Sequence, residues 1–166
     1  MMRDKRFIAK HRGGLLEKEQ HYQLMTWACD CTEHVLHLSG GNIDERLVKA
    51  LKVGRAWKQG NASVGDARKA SVEAHTMARE SSNLVLIAIA RSAGHAVATA
   101  HMSDHSLKAA LYALKAVKNA GKFIDEERKW QNEQLRQLSG EIVEIVVTTL
   151  KKEKGFLRNF SAERNL

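Results

Sequence analysis

The absence of proline is the feature that most constrains the fold of this chain. The chain has 166 residues and no proline, and apolar residues recur along it at spacings of three and four, the period of an amphipathic helix. Because proline is the residue that most strongly breaks a helix interior, no position forces a helix to break by ring geometry. Breaks are expected only at short clusters of glycine, asparagine and serine. The sequence therefore predicts an all-α fold.

The apolar pattern divides into about six helices within a single domain. The first three span about residues 17–38, 44–59 and 63–80, with Ser63 as an N-cap. The fourth begins near Leu84 after Ser82 or Asn83, the fifth follows Ser103 and ends by Gly121, and the sixth runs from about 125 to 154 with a kink at Ser139-Gly140. The fourth helix carries a stripe of small residues that lets neighbours approach closely. We therefore expect a bundle with this alanine-rich helix at its centre.

The positive charge is concentrated at the two ends of the chain. Of the net charge of +8, residues 1–12 carry +4 and residues 151–166 carry +3, which leaves +1 for the rest. We therefore divide the chain into a basic N-terminal tail (1–12), a helical domain (13–155) and a basic C-terminal tail (156–166). A nearly neutral body argues against a duplex-binding domain, although basic tails alone can contact phosphates weakly.

Cysteine usage and hydropathy indicate a cytoplasmic protein. Cys29 and Cys31 are the only cysteines, and two residues apart on a helix they point about 200° away from each other, so they cannot bridge. The N-terminal segment has charge but no apolar core, so it does not resemble a secretory signal. The most apolar stretch is interrupted by Arg91 and His95, so no membrane span is expected. Self-association through the last helix is left open.

Three histidines lie close together in the segment AGHAVATAHMSDHS, as His95, His101 and His105. On one unbroken helix, a single metal ion could bind only His101 and His105, and a site would need a third ligand, for which His75 is the candidate. If a new helix begins at Ser103, the elbow brings His101 and His105 together with Asp104, where acid-base chemistry or anion binding becomes feasible. The simpler interpretation is that these histidines are hydrogen-bonded between packed helices and that Ser103 and Asp104 cap a helix.

Sequence signatures of catalysis are otherwise missing. The chain has no glycine-rich phosphate loop and no GxSxG motif, and neither cysteine has a convincing histidine partner. Trp57, next to basic residues, either closes the core or forms an exposed contact patch; its place on an apolar stripe favours the core. His75 and Arg79 lie one turn apart on one helix face. We expect no cofactor, no metal and no catalytic residues, with a small metal- or histidine-dependent enzyme as the alternative.

Three segments carry a resemblance to a known family: WACDCTEHVLHL, GRAWKQGNASVGDARKASVEAHTMARE and ARSAGHAVATAHMSDHSLKAALYALKAV. Over roughly residues 12–117, the chain resembles a family of bacterial immunity proteins, an all-helical group associated with polymorphic toxin systems. Members often carry Asp-x-Arg-Pro before the second helix, where this chain has Asp44-Glu-Arg46-Leu47 and lacks the proline.

The resemblance implies a cytoplasmic protein that binds and neutralises a cognate protein toxin and catalyses no reaction. Such a protein needs a well-packed anchor surface rather than a catalytic pocket. The candidate surface is the histidine-bearing side of the bundle, comprising His75, Arg79, His95, His101 and His105.

Overall fold

The chain folds into a bundle of α-helices. The computed structural model describes residues 3–152, and among them no β-strand is formed apart from an isolated bridge between Ala9 and Leu16. The helices are α1 (Lys18–Val35), α2 (Glu45–Lys58), α3 (Val64–Glu80), α4 (Leu84–Ala98), α5 (His105–Asn119), α6 (Ile124–Arg136) and α7 (Gly140–Lys152). Short 3-10 helices span Lys5–Phe7, Lys10–Arg12 and Leu36–Ser39. The predicted all-α fold is confirmed, whereas the predicted C-terminal tail (156–166) lies outside the described residues.

Helices α3 and α4 each begin directly after a polar residue whose side chain accepts hydrogen bonds from the first backbone N–H groups. Ser63 forms a capping box with Asp66 at the start of α3, as predicted for the cap. At α4 the cap is Asn83 rather than Ser82, because the Asn83 side chain accepts from two backbone N–H groups. The predicted cap at Ser103 is wrong: its hydroxyl donates to the Phe7 carbonyl, and α5 has no side-chain cap.

The predicted sixth helix is two helices, α6 and α7. The chain leaves helical geometry after Gln137, and α7 begins at Gly140. Glycine is among the weakest helix formers, and the backbone N–H of Ser139 is satisfied by the Gln23 side chain on α1 at 3.1 Å. A break is therefore favoured over the kink that the sequence suggested.

The alanine-rich helix α4 lies at the centre of the bundle, as predicted. It packs against α1, α2, α3 and α5. Its buried side chains are mostly small: Ala88, Ile89, Ala90, Ser92, Ala93, Ala96 and Val97. Because small side chains let the backbones of neighbouring helices come close, α4 can be surrounded by four other helices. Ser92 satisfies its buried hydroxyl by donating to the Ala109 carbonyl at 2.7 Å, and it also hydrogen-bonds the Thr32 hydroxyl at 2.7 Å.

The N-terminal segment is packed against the bundle. Phe7 and Leu16 are 3% and 1% exposed. The segment crosses the α4–α5 connection, where Ser103 bonds the Phe7 carbonyl and Arg3 pairs with Asp104 at 2.8 Å. Basic residues that the sequence assigns to a tail therefore lie beside the histidine-bearing elbow.

The two cysteines are fully buried although they point in different directions from α1, and Trp57 of α2 is partly buried. Cys29 and Cys31 are fully buried free thiols, and burial raises the pKa of Cys29 to about 12. Trp57 is partly buried and packs against the core, with its ring 4.8 Å from that of His21 and 5.2 Å from that of Tyr22.

Candidate functional site

The α4–α5 elbow brings the predicted histidines together. His95 lies in the last turn of α4, His101 lies in the connection, and His105 is the first residue of α5. The connection turns tightly, with the backbone N–H of Met102 bonded to the Ala98 carbonyl and that of His105 bonded to the Met102 carbonyl. Of the alternatives that the sequence left open, the broken helix is the one that forms.

Four histidines from α3, α4, the α4–α5 connection and α5 form a continuous row, which we call the histidine cluster: His75, His95, His105 and His101. Successive ring centroids are 5.0, 5.0 and 5.4 Å apart. Tyr112 of α5 stacks on His95 at 5.4 Å with the ring planes nearly parallel. His75 reaches the row because it faces Gly94, where even a methyl group would lie 2.6 Å from its Nε2 atom.

Hydrogen bonds in the cluster require neutral rings. Arg91 donates to Nδ1 of His75 at 2.8 Å, so this nitrogen carries a lone pair and no proton. The Nδ1 atoms of His95 and His105 lie 2.9 Å apart, so one donates a proton to the lone pair of the other. At least one of these two rings is therefore neutral, and full protonation would break both contacts.

Burial and neighbouring cations oppose protonation throughout the cluster. Burial is the largest cause in each case: it lowers the pKa of His75 to about 4, with Arg91 adding to the effect, and that of His95 to about 3, with His105 adding to it. The pKa of His105 falls to about 4 through burial, partly opposed by the Asp104 carboxylate. The pKa of His101 is also lowered, first by burial and then by Arg68. The cluster is uncharged at pH 7.

Cations predominate among the charged groups that act most strongly on the uncharged cluster, and we call the cluster and these groups together the cationic face. The groups are Arg3, Arg12, Arg68, Arg79, Arg91 and Lys108, with one carboxylate, Asp104. That carboxylate is paired with Arg3. A groove of about 320 Å³ opens on this face, lined by Arg68, Ser71, Val72, His75, Ala98, His101 and His105.

Arg79 behaves differently from the four histidines that the sequence grouped with it. It is exposed and lies one turn from His75, and its guanidinium donates to the Thr76 hydroxyl at 2.9 Å. Arg68, Arg91 and Lys108 also belong to this face, and they are not among the residues predicted from the sequence. Helical spacing could have identified them, since Arg68 precedes His75 by seven residues, Arg91 precedes His95 by four, and Lys108 follows His105 by three.

The metal-binding alternative depends on a third ligand near a histidine pair. Among residues 3–152, no group of three or more His, Cys, Asp or Glu side chains is placed to hold a metal ion. The closest pair, His95 and His105, meets through nitrogen atoms that share a proton. Two nitrogen ligands fall short of the three protein ligands that zinc sites use.

Fold and site together define a small helical bundle whose distinctive surface is cationic and histidine-lined. Among residues 3–152, no helix combines the length and the hydropathy of a membrane span. The family model described as Imm-5 like putative immunity protein matches residues 14–138, more than half of the chain. The chain belongs to this family. No curated protein and no solved structure matches it.

Proposed function

We propose that this chain binds a cognate protein toxin and neutralises it in the cytoplasm of the bacterium that makes both, without catalysing a reaction. The observation that supports this role is the match of residues 14–138 to a family of immunity proteins. An immunity protein acts by occupying a surface of its toxin, so the relevant features of this chain are exposed contact groups.

We assign the toxin-binding surface to the cationic face. It contains the residues that the sequence analysis singled out, namely His75, Arg79, His95, His101 and His105. Removing water from uncharged, closely packed histidine rings costs less free energy than removing it from charged groups. The cations around the rings remain at the edge of the interface, where their charge increases the association rate. Val72, which lines the groove, is 61% exposed and offers an apolar contact beside the rings.

The charge of this face specifies the partner's chemistry. Six cations stand against one carboxylate that is already paired. Electrostatic complementarity therefore requires an acidic contact surface on the toxin. If the toxin has a basic groove that binds nucleic acid, the cationic face would repel that groove. We therefore expect the toxin to be bound through a different, acidic part of its surface.

The first experiment is affinity capture with the tagged chain from a nuclease-treated lysate of the source cells. The captured protein is then purified and its affinity measured against three forms of the chain. The first is wild type; the second is the double variant Arg68→Glu, Lys108→Glu; the third is Lys52→Glu, Lys129→Glu, which makes the same change in net charge at exposed lysines outside the face.

We expect the first double variant to lose affinity by tenfold or more, mainly through a slower association rate, while the control stays within about threefold of wild type. A higher salt concentration should reduce the difference in affinity between wild type and the first double variant, because salt screens the charges. Equal loss in both variants would show that total charge matters rather than this face. Unchanged affinity in both would place the toxin-binding surface elsewhere.

A further inference from the structure

A second concave region lies beside the cationic face, and we call it the N-terminal cavity. It measures about 600 Å³, within the range typical of sites for small molecules. Its walls come from the N-terminal segment, the first turns of α1, the end of α2 and the α4–α5 connection, and it shares His101 with the histidine cluster.

Basic side chains predominate in the polar lining of this cavity, which also contains Tyr22 and Ser103. Its cations are Arg3, Lys10, Arg12 and Lys18, and the uncharged His101 belongs to the same lining. Glu17 is the one carboxylate in the lining, and it is already hydrogen-bonded to Lys10. Several cations around a partly enclosed space focus a positive potential into it. The potential favours an anionic occupant.

Aromatic rings form another part of the lining. Trp57 from α2 meets His21 and Tyr22 from α1, with centroid distances of 4.8 and 5.2 Å. Lys18 holds its ammonium 5.7 Å from the centre of the Tyr22 ring. A tryptophan in contact with two further rings is a rigid platform for a planar group, and stacking on such platforms is the usual way in which bases are held.

Two buried nitrogen atoms in the lining have no hydrogen-bond partner among the described residues. They are Nε of Arg3 and Nδ1 of His101. Unpartnered buried polar atoms are uncommon and call for an explanation. Both atoms are closed off from solvent but belong to side chains that line the same cavity, so a polar ligand would satisfy them after a shift of these side chains.

We propose that the N-terminal cavity binds a small anionic ligand with a planar ring, the chemistry of a mononucleotide. The ring stacks against Trp57 and the phosphate is held by Arg3, Arg12 and His101. This ligand site does not depend on the toxin-binding role proposed above. Arg3, Arg12 and His101 also belong to the cationic face, so the two sites overlap at the elbow. A titration that contains no toxin therefore tests the ligand site by itself.

The test is a titration of the full chain with adenosine 5′-monophosphate. Binding is measured by isothermal titration calorimetry and by changes in the NMR chemical shifts of the backbone amides and the tryptophan indoles. Adenosine and inorganic phosphate are titrated in parallel, since they carry the ring and the charge separately. The variants are Trp57→Leu, which removes the platform, and Arg12→Gln, which removes an exposed charge. Lys52→Gln removes an exposed charge away from the cavity and serves as the control.

We expect saturable binding of the nucleotide at submillimolar concentration, with adenosine and phosphate each at least about tenfold weaker. Trp57→Leu and Arg12→Gln should each weaken binding about fivefold or more, whereas Lys52→Gln should match wild type. Absence of nucleotide binding at 10 mM, about ten times the weakest expected constant, would overturn the proposal. Equal binding of phosphate alone, or affinity unchanged in Arg12→Gln, would also overturn it, and the latter variant stays informative even if Trp57→Leu does not fold.

Discussion

Gly94 provides a sharp test of the packing that holds the histidine cluster. A Cβ atom at this position would lie 2.6 Å from Nε2 of His75 and 2.8 Å from two of its ring carbons. The ring cannot move away freely, because Arg91 holds its Nδ1 atom at 2.8 Å and the His95 ring lies 5.0 Å from it. Gly94→Ala should therefore destabilise the protein, although alanine is the better helix former.

The size of the effect follows from two opposing contributions. Replacing glycine by alanine inside a helix gains about 1 kcal/mol from helix propensity. Overpacking a filled interior costs about 1–3 kcal/mol. With contacts this short the upper part of that range applies, so Gly94→Ala should lower the free energy of unfolding by about 1–2 kcal/mol, or Tm by roughly 3–6 °C.

The assay is urea unfolding followed by circular dichroism, with Gly65→Ala as the control. Gly65 lies in α3, and its added Cβ would meet nothing closer than the Ser63 hydroxyl at 3.5 Å. That control should be as stable as wild type or more stable. In the double variant His75→Ala, Gly94→Ala, the second change should no longer be destabilising, because the ring it collides with is gone. A Gly94→Ala protein as stable as wild type would refute the reasoning.

Two further predictions concern the interior. Because the folded pKa values of His75, His95 and His105 lie near 4, 3 and 4, the unfolded chain takes up protons first as pH falls below about 6.5. The stability that these neutral histidines contribute is fully present above that pH. The free energy of unfolding should fall by about 2–3 kcal/mol by pH 5, after allowance for the partial solvent exposure of the rings. A urea midpoint that is unchanged between about pH 7.5 and 5 would contradict this. Ser92→Ala should cost about 1–2 kcal/mol, because it removes the hydroxyl that joins the Ala109 carbonyl to Thr32. A thermal melt that matches wild type would count against that network.

Much of the fold could be predicted from the sequence because the determinants are local. The three-and-four spacing of apolar residues places the helices, and Ser63 is recognised as a cap because serine is a preferred residue just before a helix begins. The break before α7 is harder to predict, since residues on both sides of it fit one apolar stripe. It depends on Gln23 of α1 meeting the Ser139 backbone, which is a long-range contact.

The candidate site was predicted only in part, for a similar reason. The clustering of three histidines between residues 95 and 105 identifies most of the site, but how closely α3 and α4 approach is set by Gly94 facing His75. The role of Ser103 was mistaken because its hydroxyl is used by a segment nearly one hundred residues earlier, the Phe7 backbone. The docking of that segment also creates the N-terminal cavity, which no local pattern indicates.

The central claim is that this chain neutralises a toxin by binding it, and growth of cells that express the captured partner tests it most directly. The partner is induced alone, with wild-type chain, with the variant Arg68→Glu, Lys108→Glu, and with the control Lys52→Glu, Lys129→Glu, at equal expression levels. The account predicts that the partner alone stops growth, that wild type and control restore it, and that the cationic-face variant restores it poorly. A partner that is harmless alone, or equally toxic beside wild-type chain, would contradict it.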